Sequence, residues 1–411
     1  MVLAKIRSFG VVVLAFVAAF APALAGDWSI TGDVSETVKF NDNPSLLLSN
    51  PGWVTSPTET LSSDFGYTMK DGRFDLLGSF TARNFFGPGT KVTNDQYLPR
   101  VEAKFEKFGP RTALNLSASY AVERTAFNDA FLVANCTPIL GTVLFDCDGE
   151  IVDPTSTAIR QTLNTAFSLN QKLDARNSLL WSNAFSDKIF TTGAAADFQT
   201  MASSLAWNTK LTKRIDANLK FGVDWLGVND VTALDRFVYG LSARVTDRLT
   251  DRLTVHAVVS GKLTDTFKND IAAPGVPRTF SALKGATFKA GGEYLASPFT
   301  TISFEGVIGT DEQPNAQWFN HYSATIGLVN KIDDLSNFGI TSSLSYNELL
   351  LAPDGRRAVV NFSLSPSYSL QLARDWNMLA TYRLAVINST SGAAVSNEVG
   401  VSFSHHFVAM P

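Results

Sequence analysis

Cysteine, histidine and long apolar runs are scarce in this sequence. Two cysteines in 411 residues are too few for a disulfide scaffold. Charge is also thin and nearly balanced, at 18% of residues, with 34 basic against 38 acidic side chains and a formal net charge of −4. That excludes a strongly basic nucleic-acid binder, and a hydrophobic fraction of 45% excludes a disordered or collagen-like chain. Beyond Ala25 no apolar stretch approaches the ~18 residues of a membrane-spanning helix, so a helical membrane protein is excluded as well. Helical periodicity itself is nearly absent.

The first 25 residues read apart from the rest. Lys5 and Arg7 precede an apolar run from Val11 to Phe20, and Ala23-Leu24-Ala25 is a small-x-small cleavage site before Gly26. This is the pattern of a secretory signal over 1–25, leaving 26–411 as one exported domain. The competing reading is an N-terminal membrane anchor, against which stands a run shorter than the ~20 residues that span a bilayer.

What fills the exported chain is alternation of period two. From Thr112 to Glu123, Leu114, Leu116, Ala118, Tyr120 and Val122 take one side while Asn115, Ser117, Ser119 and Glu123 take the other. Ile215 to Trp225 and Trp376 to Val386 repeat the pattern. Continued along the chain it gives about 18 candidate strands, with cores starting near Trp28, Thr60, Arg73, Leu98, Thr112, Ser156, Asn177, Thr200, Ile215, Arg236, Leu253, Gly285, Thr300, Asn320, Asn337, Arg357, Trp376 and Val395. Each is roughly 10 to 15 residues, enough for a tilted strand to cross a bilayer and about twice the globular mean.

Connections alternate between short polar turns, such as Lys70-Asp71-Gly72 and Leu211 to Arg214, and longer Asn/Asp/Gly/Pro segments such as Asn41 to Glu59, Arg124 to Thr155 and Lys188 to Gln199. Four turns share a basic residue, a branched aliphatic and a turn former: Lys172-Leu173-Asp174, Lys210-Leu211-Thr212, Arg248-Leu249-Thr250 and Lys331-Ile332-Asp333. The three leucines are 38 residues apart, the length of one hairpin with its loop. Aromatics collect near strand ends on the apolar side, among them Trp28, Phe40, Phe74, Phe85, Trp181, Phe185, Trp207, Trp225, Tyr239, Tyr294, Tyr322, Tyr346, Tyr368 and Trp376, as expected of girdles at two membrane interfaces. The fold class predicted is therefore all-β: a transmembrane up-and-down antiparallel β-barrel of about 18 strands, with 16 as the alternative.

The segment Ser35-Glu36-Thr37-Val38-Lys39-Phe40-Asn41-Asp42-Asn43-Pro44, a strand running into an Asn/Asp loop, and the final strand with Val399, Val401, Phe403 and Phe407 on one face resemble the β-barrel porins of the proteobacterial outer membrane. The resemblance implies a Gram-negative outer-membrane location, contact with outer-membrane lipids, and recognition by the barrel-assembly machinery through the last strand. It also implies passive diffusion of small hydrophilic solutes. The alternative it carries is a barrel component of exopolysaccharide export, since some relatives lie near that function. Trimers are usual for general porins, although no sequence feature marks an interface between copies.

The polar side of the strands supplies the pore-lining candidates: Arg73, Arg83, Arg100, Glu102, Lys104, Glu106, Arg160, Lys220, Arg244, Lys262, Lys289, Glu293, Glu305, Arg357, Arg383 and Glu398. Each has two readings, a solute-sorting charge in an aqueous pore or half of a cross-strand pair that only satisfies the wall. Arg100-x-Glu102-x-Lys104-x-Glu106 fits the second best. Cys136 and Cys147, in the loop Arg124 to Thr155, read as a disulfide in an oxidising compartment. With no His near them a metal site is not expected, and no cofactor is implied. His256, His321, His405 and His406 come without a Gly-x-Ser-x-Gly motif, so a lipid hydrolase is the minor reading and no enzyme is expected.

Overall fold

A computed structural model describes residues 27–43, 52–88, 96–124, 159–190, 197–228, 235–267, 281–312, 318–349, 357–389 and 392–410, with three short strands inside 137–151. Residues 1–25, read from sequence as a secretory signal, Cys136 and the side chain of Cys147 lie outside the described residues, as does most of the loop 124–155.

The strands are β1 (Asp27–Asn41), β2 (Val54–Met69), β3 (Gly72–Arg83), β4 (Gln96–Phe108), β5 (Thr112–Arg124), the short β6 (Thr137–Ile139), β7 (Leu144–Cys147) and β8 (Glu150–Ile151), then β9 (Ile159–Lys172), β10 (Asn177–Phe190), β11 (Phe198–Lys210), β12 (Ile215–Val228) and β13 (Asp235–Arg248). They continue with β14 (Leu253–Phe267), β15 (Ser281–Ser297), β16 (Thr300–Glu312), β17 (Trp318–Lys331), β18 (Ser336–Leu349), β19 (Arg357–Ala373), β20 (Trp376–Ser389) and β21 (Gly392–Met410). β6 to β8 form a separate three-stranded sheet, and the other 18 strands form one sheet. Each of the 18 pairs antiparallel with its chain neighbours, and β1 also pairs with β21, so the sheet closes on itself. The count is 18, not 16.

Closure is reinforced on the inner face of the β1–β21 seam. Lys39 Nζ meets Glu398 Oε1 at 3.0 Å, Thr37 Oγ1 donates to Ser402 Oγ at 2.8 Å, and His406 Nδ1 lies 2.9 Å from Asp33 Oδ1. At the loop end the Asp42 carboxylate accepts from both the backbone and the side-chain amide of Asn397, at 2.7 Å each.

The alternation read from sequence becomes two faces. Outward lie Leu61 (55% exposed), Leu241 (55%), Val259 (58%), Ile308 (57%) and Ile326 (59%), a density of bare aliphatic surface that water does not tolerate and acyl chains do. Aromatics pair across strands towards the ends of this band. Trp28 lies 4.2 Å from Tyr67 at the turn end, and Tyr322 lies 5.9 Å from Tyr346 nearer the loop end. Phe85 departs from the expected girdle: it follows β3 with the inward parity of Arg83 and is 9% exposed.

Among the strand starts, that of β2 differs most from the sequence pattern. β2 begins at Val54, six residues ahead of Thr60, and includes Pro57 and Glu59. Glu59 stands directly opposite Glu36 of β1, both outward and both exposed, with Val34, Val38 and Leu61 around them. A carboxylate on the apolar side breaks the alternation, which is why the sequence pattern places the strand start later.

Four of the short turns share one construction. Asp174 accepts from the backbone N–H of Arg176 at 2.6 Å and of Asn177 at 2.8 Å, Thr212 from Arg214 and Ile215, Thr250 from Arg252 and Leu253, and Asp333 from Leu335. Hydrogen bonds from the Asn177 side chain and from the backbone hold the Asp174 carboxyl below its ordinary value, and those from Ser336 and Leu335 do the same for Asp333.

Two expectations follow. Like charges opposed on an apolar face are unfavourable, so Glu36→Leu with Glu59→Leu raises stability by about 1–3 kcal/mol in denaturant unfolding from lipid vesicles; unchanged or lower stability would contradict the outward placement. Depressed folded pKa values make the two aspartate caps fully effective above the unfolded value near 4 and lose them as pH falls through the lower folded value. Amide exchange at Asn177 and Leu335, corrected for intrinsic rates, should therefore lose protection at acid pH, while Ile215 and Leu253, capped by hydroxyls, should keep theirs.

Candidate functional site

The inner face is the other half of the alternation. Small polar side chains dominate it, for example Ser343 and Ser363, whose hydroxyls are 2.7 Å apart, and Ser182 and Ser204, 2.8 Å apart. These leave room that bulky residues would fill. Along β4, β5 and β9 to β14 the inner face borders a cavity of about 770 Å³, whose lining includes Lys104, Ser168, Ser204, Lys220, Asp224 and Lys262.

By strand parity, fifteen of the sequence-derived candidates face this interior: Arg73, Arg83, Arg100, Glu102, Lys104, Glu106, Arg160, Lys220, Arg244, Lys262, Lys289, Glu293, Glu305, Arg383 and Glu398. Arg357 opens β19 opposite Leu349, and its side chain lies outside the described residues.

Many of these charges are joined within the wall. Arg73 meets Asp75 at 2.7 Å; Glu102 lies between Arg100 at 2.9 Å and Lys104 at 3.1 Å; Lys289 meets Glu305 at 2.7 Å, with His256 Nε2 at 3.8 Å from the same carboxylate. For these residues the wall-pairing reading is the one the geometry supports. The pairs are half-exposed, so each contributes little to stability, roughly 0–1 kcal/mol, yet it fixes where the charges stand.

A second recess was not legible in sequence. Arg100 of β4, Arg160 of β9 and Lys188 of β10 converge on a cavity of about 410 Å³ that also takes in Ser119, Thr162, Asn164, Ser186 and Thr200. Lys188 Nζ sits 5.0 Å from the centre of the Phe198 ring. The hydroxyls of Thr162 and Ser186 are buried here without a hydrogen-bond partner, an arrangement that a bound acceptor or donor relieves. Lys188 and Phe198 fall inside the stretch read from sequence as a loop, Lys188 to Gln199. The structure extends β10 to Phe190 and starts β11 at Phe198, which brings both side chains into the wall. Outward Asp187 hides that extension, because it puts a charge where the pattern requires an apolar residue.

Among the described residues no three His, Cys, Asp or Glu side chains cluster as metal ligands. Fold and site together define a closed barrel with an apolar outside and a charged, hydroxyl-rich inside. No family model matches the chain, and no curated protein matches it. Solved structures do. OpdL of Pseudomonas aeruginosa is 11% identical, with 93% of this chain and 99% of that one covered and a TM-score of 0.53. OpdK of the same organism, solved with vanillate, is 9% identical over 93% and 99%, also at 0.53. OccAB4 of Acinetobacter baumannii is 10% identical over 93% and 98%, at 0.51. At such identities the likeness is one of fold, and it extends over nearly the whole of each barrel.

If the second recess attracts anions into the lumen, Arg100→Gln with Lys188→Gln lowers the anion-to-cation permeability ratio of the reconstituted barrel by roughly twofold or more at low salt. Reversal potentials under a salt gradient measure it, and an unshifted potential would remove the recess from the conduction path.

Proposed function

We propose that the chain is a porin-like channel of the Gram-negative outer membrane, through which small hydrophilic solutes diffuse passively. The observation that carries this reading is the inner face: charged and small polar side chains occupy inward positions around the sheet, an arrangement that only water-filled space makes favourable. The likeness in fold to OpdL, OpdK and OccAB4 along nearly the whole barrel supports the same reading. OpdK, solved with vanillate, shows that a barrel of this fold can hold a small organic molecule.

In this reading residues 1–25 direct export and are removed, and 26–411 form one barrel domain. Bilayer lipid covers the outward band, and the short turns face the periplasm while the longer connections face outside. β21 ends with Phe403 and Phe407 exposed outward at 43% and 37%, which supports recognition of this last strand by the assembly machinery. Passage through the pore needs positioned charges and hydroxyls and no catalytic group. Paired charges polarise the water in the lumen without giving it one sign, so size and hydrogen bonding sort solutes more than charge does.

The purified full chain in planar bilayers should give discrete open-channel currents, and vesicles containing it should swell in small neutral sugars. Absence of both, with the barrel shown to be folded by its strand circular dichroism, would remove the channel reading.

A further inference from the structure

Every short turn places one residue opposite another on the last inward register position before the chain reverses. Three successive junctions hold cations on both sides. Lys172 N donates to Arg111 O at 2.7 Å, Lys210 N to Arg176 O at 2.9 Å, and Arg248 N to Arg214 O at 3.1 Å. Each pair continues the register of its strands, so both side chains share the inward parity. Arg252 follows, its carbonyl accepting from Leu295 N at 2.8 Å. The result is an unbroken arc of seven exposed cations over β5 and β9 to β14, about 30 Å along the rim at ~4.8 Å between strands.

Like charges in directly opposed positions destabilise a sheet, and here the arrangement occurs three times running. None of the seven forms an ion pair among the described residues. Asp174, the nearest turn carboxylate to Arg176, is engaged by backbone amides. Asp216 faces inward opposite Lys210 but makes no ion pair with it.

The rim then changes character. Leu295 is 45% exposed, Phe299 60% and Leu335 54%, and all three keep the inward parity of β15, β16 and β18. By that parity these side chains turn toward the water of the mouth and away from the acyl chains outside. A small anion would match only the cations, and a lipid headgroup would have to leave the outer surface to reach them.

We propose that the turn-end mouth of the barrel is a docking site for an acidic, amphipathic segment of a periplasmic protein, its carboxylates on the Arg/Lys arc and its apolar side chains on Leu295, Phe299 and Leu335. The charge match offsets the opposed cations, and the apolar contact covers side chains that are otherwise bare to water. The site rests on the turn end facing the periplasm and does not require that the barrel conduct.

The test uses the full-length protein in phosphatidylcholine nanodiscs and a fluorescent peptide rich in Glu and Leu, followed by anisotropy. Saturable binding is expected, weakened by salt. It should weaken about tenfold in a protein carrying Arg176→Gln, Arg214→Gln and Arg248→Gln, and by a similar factor in one carrying Phe299→Ser and Leu335→Ser. Arg214→Gln alone, expected to cost about twofold, keeps the test decisive if the triple variant does not form a barrel. No saturable binding, binding as tight as that of the unsubstituted protein in either variant set, or equally tight binding of plain polyglutamate would each overturn the proposal. Because binding is read directly, a barrel that binds without conducting would refute the channel reading and leave the docking site standing.

Discussion

Within a bilayer no water is available to satisfy a backbone N–H or carbonyl, and each one left bare costs several kcal/mol. A single helix can meet that demand within itself, whereas a strand must find a partner on each side. The pairing of β1 with β21 is therefore the contact on which the rest depends. Without it two edges would face lipid, and every other strand pair would belong to an open sheet. The side chains along the seam, Lys39 with Glu398, Thr37 with Ser402 and Asp33 with His406, add directional bonds to the one junction whose strands lie at opposite ends of the chain.

Once the sheet is closed, inside and outside are different solvents. The outside accepts Leu61 and Ile326 because acyl chains surround them, and the inside accepts Arg100 and Glu102 because water does. Pairing inside the wall then limits the net charge that the interior presents. A carboxylate held between two cations, as Glu102 is, retains hydration and position but lends little net sign to the lumen. Local departures from that balance, the Arg100, Arg160 and Lys188 recess and the cation arc at the turns, are the places where the barrel is not neutral.

The sequence pattern failed where one side chain contradicted its face. Outward Glu59 hid the first six residues of β2, and outward Asp187 hid the loop-end reach of β10. Both errors moved wall residues into loops. Lys188 was lost from the lumen list for this reason alone, since its own parity is that of Ser182 and Ser186. Phe85 erred the other way, because alternation was carried past the strand end to a ring that is buried.

Parity is a local property, set by the pleat, and it needs only the order of residues. The sequence by itself therefore determined the all-β class, the two faces and the inward direction of the lumen charges, and it narrowed the strand number to about 18 with 16 as the alternative; closure of the sheet decided between them. Which inward residue stands beside which is set by register, and register depends on where each hairpin turns and on which strand closes the sheet. The 38-residue recurrence of Lys-Leu or Arg-Leu was visible in the chain, but that Arg176 lies against Lys210, and Arg214 against Arg248, follows only from antiparallel pairing across the next junction. The seven-cation arc, the recess around Lys188 and the β1–β21 seam were all decided at that level, because each joins residues that the chain itself keeps apart.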